Sequence, residues 1–102
     1  MTPEEEYRYF KQKYPEHRVY NISNGVYLRV ERTCVVFSNV YNKRHRFDGP
    51  AFLCDVGSLW FINGYDITIG IYNWAEENDI DIDNLTDVDK ALIKLIWSDY
   101  DE

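Results

Sequence analysis

Trp60-Phe61-Ile62-Asn63-Gly64-Tyr65-Asp66-Ile67-Thr68-Ile69-Gly70-Ile71-Tyr72-Asn73-Trp74-Ala75 holds the change of period that decides the fold. Leu59–Ile62 is a short apolar and aromatic run that reads as a strand. Asn63-Gly64 follows as a tight turn, because both residues tolerate positive φ. Tyr65–Ile69 resumes the strand pattern. Beyond Ile69 the spacing becomes helical: Ile71, Trp74 and Ala75 fall on one face and predict a helix over roughly 70–78.

Outward toward the N-terminus the strand pattern continues. Ala51–Cys54 reads as a strand, with Asp55–Ser58 as the turn after it and Asp48-Gly49-Pro50 as the turn before it. Asn42–Arg46 is polar and basic and reads as a loop. Thr33–Tyr41 is rich in β-branched and aromatic residues. Val26–Glu31 alternates, with Val26, Leu28 and Val30 on one face. Asn24-Gly25 joins it to Arg18–Ile22 as a hairpin. The chain begins with a helix signature: Thr2 as cap, Pro3 at the first helical position and Glu5 completing a capping box. Tyr7, Phe10 and Tyr14 form one aromatic stripe, expected to pack on the sheet, and Pro15 ends the helix.

Outward toward the C-terminus, Asp79–Asp83 is a connector. Thr86 caps a last helix with Asp87 and Asp89 in its first turn, where the helix dipole favours anions. Val88, Leu92, Leu95 and Ile96 form one apolar stripe and Ile93 and Trp97 a second flank, a breadth that predicts burial on more than one side. Asp99–Glu102 reads as a frayed tail. The sum is an α+β fold: an N-terminal helix, an antiparallel meander of five or six strands, and two C-terminal helices. It is read as a single domain over 1–102, with the helix in 1–15, the sheet in 18–69 and a helical, acidic segment in 70–102.

Composition bounds the function. At 102 residues and 45% hydrophobic, the chain can bury a core, and 17% aromatics suit wide half-buried sheet faces. No apolar run approaches the roughly 20 residues of a membrane span. The acidic start, Met1 to Glu6, lacks the pattern of a secretory signal. Cys34 and Cys54 cannot build a disulfide framework and are expected to be reduced, buried thiols in the cytoplasm. The net charge of −7 is polarised. Residues 7–46 carry nine bases and two acids, whereas residues 76–102 carry ten acids against Lys90 and Lys94.

The chemistry-bearing residues do not assemble into a site. His17 and His45 stand at no ligand spacing with each other or with the cysteines, so no metal or cofactor is expected. Asp79-x-Asp81-x-Asp83 resembles the opening of a calcium loop, but Asn84 stands where Gly is needed and Lys90 where the closing Glu is needed. No glycine-rich phosphate loop is present. Tyr41–Phe47 combines bases with aromatics, yet the chain as a whole is acidic, which argues against direct nucleic-acid binding.

A resemblance adds to this reading. Asn39–Arg44 aligns with Trp60–Tyr65 at an offset of 21 residues. His45-Arg46-Phe47-Asp48-Gly49-Pro50-Ala51, followed by Trp60-Phe61-Ile62-Asn63-Gly64, resembles the HRxDGPA…WxxNG repeats of MORN-like proteins of tailed bacteriophages and large DNA viruses. Trp74–Lys90 is similar to the helical ending of such proteins. The chain departs from the pattern at Asp66-Ile67, where a second His-Arg is usual, and at Lys43, where Gly is usual. The resemblance implies a viral origin and an interaction scaffold without catalytic activity. The expected function is therefore a non-enzymatic phage protein that binds and modulates a bacterial host protein, as an anti-defence or host-takeover factor. Its expected contact residues are Tyr41, Arg44, His45, Arg46, Tyr65 and Tyr72, with Glu76, Glu77, Asp79, Asp81 and Asp83 as a second surface. Two alternatives stand beside it. One is an acidic nucleic-acid mimic carried by the second surface with Asp87 and Asp89. The other is a small nuclease or nucleotide-processing enzyme using His45 and Asp48. An uncovered sheet edge at Arg18–Ile22 leaves a homodimer open.

Overall fold

The computed structural model describes residues 2–23 and 25–98. The expected Asn24 half of the first hairpin turn and the Asp99–Glu102 tail lie outside the described residues. Helix α1 runs Pro3–Lys13 and opens on the expected capping box. Thr2 Oγ1 accepts the Glu5 N–H at 3.2 Å, and the Glu5 carboxylate accepts the Thr2 N–H at 2.8 Å. Tyr14, forced out of the helical region by Pro15, takes an extended conformation and ends the helix.

Strands β1 (Val19–Ser23), β2 (Val26–Val30), β3 (Cys34–Ser38), β4 (Phe52–Cys54) and β5 (Gly57–Leu59) form one antiparallel sheet in sequential order. Strands β6 (Phe61–Ile62) and β7 (Tyr65–Asp66) form a separate hairpin. Helices α2 (Thr68–Glu77) and α3 (Asp87–Trp97) follow. The α+β architecture expected from the change of period is therefore present.

Several strand ends shift by a residue, and β5 begins at Gly57, inside the expected Asp55–Ser58 turn; at three further boundaries a side chain or a partner claims the backbone. The strand expected over Thr33–Tyr41 stops at Ser38. Asn39 Oδ1 accepts the N–H groups of Tyr41 and Lys43 at 2.9 and 3.1 Å, which folds the chain into a turn. The strand expected over Leu59–Ile62 is divided at Trp60. Its N–H donates to Thr68 Oγ1 at 2.9 Å and its carbonyl accepts the Ile67 N–H at 2.9 Å, so Trp60 is tied to the start of α2. The strand expected over Tyr65–Ile69 ends at Asp66, whose carboxylate accepts from the Thr68 N–H and hydroxyl at 3.0 and 2.6 Å. That bracing lets α2 begin at Thr68, ahead of the expected 70.

Two cores result. Leu28, Val30, Val35, Phe37, Ala51 and Leu53 bury one face of the sheet beneath the Tyr7, Phe10 and Tyr14 stripe of α1. Trp60, Ile62, Ile67, Ile71, Ile93 and Trp97 form the second, with Phe47, Trp74, Ile82 and Leu85 packed against it. Each fully buried large side chain contributes roughly 1.5–3 kcal/mol.

Helix α3 corrects a further expectation. Its cap is as read, with Thr86 and Asp89 exchanging hydrogen bonds at 3.0 and 3.1 Å. Its burial is not. Ile93 and Trp97, the supposed flank, enter the core, where Trp97 meets the Trp74 ring edge-on at 5.6 Å. The supposed main stripe faces outward: Val88 is 69%, Leu92 39%, Leu95 74% and Ile96 45% exposed. Six apolar residues cover more of the helix circumference than one contact can bury, and the Trp97 flank takes that contact.

Candidate binding surface

The segment after β3 is basic and aromatic, and the fold ties it down from both sides. The His45 N–H donates to the Phe37 carbonyl at 3.0 Å on the β3 side. On the β6–β7 side the Arg46 N–H donates to the Phe61 carbonyl at 3.1 Å and the Gly64 N–H to the Arg44 carbonyl at 2.8 Å. Asn39 Nδ2 donates to Asn63 Oδ1 at 2.8 Å. Asn63 and Gly64 both take positive φ, 49° and 89°, as the expected Asn-Gly turn requires. The loop at 39–46 and the turn at 63–64 are thus one stitched unit.

This unit carries the expected contact residues Tyr41, Arg44 and His45, with Tyr65 directly after its turn. Tyr41 and Tyr65 are exposed. The Arg44 guanidinium lies over the rings of Phe52 and Phe61 at 4.8 and 5.2 Å, bridging β4 and β6 while its side chain stays at the surface. His45 is half-buried; its Nδ1 accepts the Asn63 N–H at 3.1 Å, and its ring meets Phe47 edge-on at 4.8 Å. Tyr72 is exposed on α2. Glu76 and Glu77 end α2, and Asp79, Asp81 and Asp83 follow it; all five are exposed. Asp79 takes a left-handed φ of 54°, and Asp81 Oδ1 accepts the Asp83 N–H at 3.0 Å. Among the described residues no group of three or more His, Cys, Asp or Glu is placed to hold a metal ion.

Arg46 requires a correction. It was expected on the gripping surface, and it is buried at 7% exposure. Its Nη2 donates to Glu6 Oε2 at 2.6 Å, its Nε to Asp48 Oδ1 at 2.7 Å and its Nη1 to the Pro50 carbonyl at 3.1 Å. Its guanidinium also lies 4.2 Å above the Phe37 ring. Burial alone would lower the Arg46 pKa; the Glu6 and Asp48 carboxylates overrule it and hold the guanidinium charged. Gly49 packs against the same guanidinium. Its φ is not in the left-handed region, and the need is room: a Cβ there would stand 2.6 Å from Arg46 Cζ.

Asp48 gives a pH prediction. Burial works to raise its pKa, but the Arg46 guanidinium overrides burial and holds the carboxyl below its ordinary value. A folded pKa below the unfolded one stabilises the fold above the ordinary carboxylate pKa, and that gain is lost as pH falls through the lowered value. Urea midpoints measured downward from pH 5 should therefore fall for the wild type below about pH 4. The Asp48→Asn curve should be flatter over the same interval. Parallel curves would remove Asp48 from the acid response.

His45 and Asp48, the pair considered for catalysis, line one cleft of about 270 Å³ with Phe10, Val26, Phe37 and Lys94. Within it the Asp48 carboxylate is engaged by Arg46 and His45 Nδ1 by the Asn63 backbone. Three features escaped the sequence reading: Glu6 as the partner of Arg46, the outward face of α3, and the pairing of Cys34 with Cys54 across β3 and β4. A helical stripe does carry the signal for α3, but spacing alone does not say which flank faces in.

The fold and surface define a mixed α+β chain with two cores and a stitched basic loop. Comparison with known proteins returns no matching family model, no similar curated protein and no similar solved structure. Among the described residues no helix is long and apolar enough to cross a membrane.

Proposed function

We propose that this chain is a non-enzymatic binding protein of phage origin that seats on a bacterial host protein and modulates it, as an anti-defence or host-takeover factor. The viral origin rests on the HRxDGPA…WxxNG resemblance. The binding role rests on one observation, the outward apolar stripe of α3 at Val88, Leu92, Leu95 and Ile96. Contiguous apolar surface of this kind is the ordinary mark of an interaction site. Tyr41 and Arg44 on the stitched unit, and Tyr65 directly after its turn, are side-chain types that dominate binding energy, and the hydrogen bonds of the unit fix the backbone that carries them.

Leu95→Asp tests the reading. Leu95 is 74% exposed, so the change should leave the urea midpoint nearly unaltered while weakening host-protein capture at least tenfold. Undiminished capture by a folded Leu95→Asp chain would overturn the role of α3. The salt response separates this from the nucleic-acid mimic. An apolar contact should hold between 50 and 300 mM salt, whereas binding through Glu76, Glu77, Asp79, Asp81 and Asp83 should fall steeply over that range.

A further inference from the structure

We propose that Cys34 and Cys54 form a single redox-modification site, a directly opposed cross-strand dithiol that small-molecule disulfides convert reversibly into an internal bridge.

The strand register sets the two cysteines opposite each other. Cys34 pairs with Cys54, Val35 with Leu53 and Val36 with Phe52. One step further in the same register, the Phe37 N–H donates to the Ala51 carbonyl at 2.7 Å, so that pair is hydrogen-bonded. Bonded and non-bonded pairs alternate along an antiparallel ladder. Counting back, Val36 with Phe52 is non-bonded, Val35 with Leu53 is bonded, and Cys34 with Cys54 is non-bonded. An independent contact agrees. The Glu31 N–H donates to the Cys34 carbonyl at 2.8 Å, so the Cys34 backbone is turned toward the β2 side and away from β4.

The class of pair decides the chemistry. Non-bonded partners have Cα atoms about 4.5 Å apart and the closest side chains of any cross-strand pair. A disulfide spans Cα separations of about 4.4–6.8 Å. The bridge therefore fits with both strands in place, at the short end of that range. Both thiols are half-buried, so a reagent can reach them. They lie on the sheet face opposite the α1-covered core, since Val35, Phe37 and Leu53 occupy that core and the cysteines alternate with them.

The reaction is two exchanges with glutathione disulfide as oxidant. The Cys54 thiolate attacks one sulfur of the oxidant and expels one glutathione thiolate, leaving a mixed disulfide on Cys54. Cys34 then gives its proton to solvent and attacks the Cys54 sulfur, expelling the second glutathione. Two protein thiols are oxidised and one external disulfide is reduced to two thiols. Burial, and after it the Glu31 carboxylate, push the Cys34 thiol pKa up and so lower its thiolate fraction; Cys34 therefore acts second, where its target is already adjacent.

The test is intact-mass measurement and thiol titration of the folded full chain after incubation with excess glutathione disulfide. The expected product has lost two hydrogens, carries no adduct and titrates zero thiols instead of two. Dithiothreitol restores both. Cys34→Ser should stop at one glutathione adduct on Cys54. Retention of one or two adducts by the wild type, a disulfide-linked dimer, or bridging only after unfolding in urea would each overturn the proposal.

Discussion

Arg46→Ala is expected to cost about 3–5 kcal/mol of folding stability, the range for removing one partner of a buried ion pair. The Arg46 side chain is 8% exposed and that of its partner Glu6 17%. The substitution strands the Glu6 carboxylate, opens the Pro50 carbonyl and removes the cation above Phe37. Arg46→Lys should recover little of the loss. An ammonium is a point charge, and it cannot span Glu6, Asp48 and the Pro50 carbonyl as the planar fork does. Gly49→Ala should act on the same group from the other side, at about 1–3 kcal/mol, because the guanidinium is held too firmly to yield to a new methyl. Urea unfolding followed by circular dichroism measures all three. A loss under about 1 kcal/mol for Arg46→Ala would reduce the network to an ordinary surface ion pair.

Trp60→Ala should be comparably severe, at about 3–5 kcal/mol. Trp60 is fully buried in the second core, and its backbone links the sheet to the first turn of α2. Its indole adds a second, more discriminating case. Nε1 is buried and, among the described residues, has no hydrogen-bond partner. An unmet donor of this kind costs about 1–3 kcal/mol. Trp60→Phe removes that donor while losing some volume, and the two effects should offset to within about 1 kcal/mol of wild type. A large loss for Trp60→Phe in the same urea experiment would show that ring volume, not the unmet donor, governs this position.

These two residues also show where sequence reading succeeds. Trp60 lies at the change of period, and the expected helix after it is present. Arg46 lies just ahead of the expected Asp48-Gly49-Pro50 turn, and the chain does bend at 47–49. For both side chains a distant segment decides the final role. Arg46 looks like one of several surface bases until Glu6, forty residues earlier, arrives over it on α1. Trp60 looks like a strand residue until Thr68 and Ile67 draw its backbone out of the sheet. Of the expected contact residues, Tyr41, Tyr65 and Tyr72 are at the surface because nothing in either core claims them, and the five acids of the second surface are solvated as charge requires.

What the chain alone determined is what depends on neighbours a few residues away. The capping boxes at Thr2 and Thr86 are contacts across three residues, and the Asn63-Gly64 turn is a matter of two backbone angles. The aromatic stripe of α1 and the alternation of β2 follow from the pitch of a helix and the pleat of a strand. Only the tertiary structure decided which flank of α3 is buried, that Cys34 stands opposite Cys54, and that Arg46 is a core cation. Those outcomes depend on register and on competition between faces for a limited area of core. Both are settled by segments far apart in the chain, and local spacing carries no record of them.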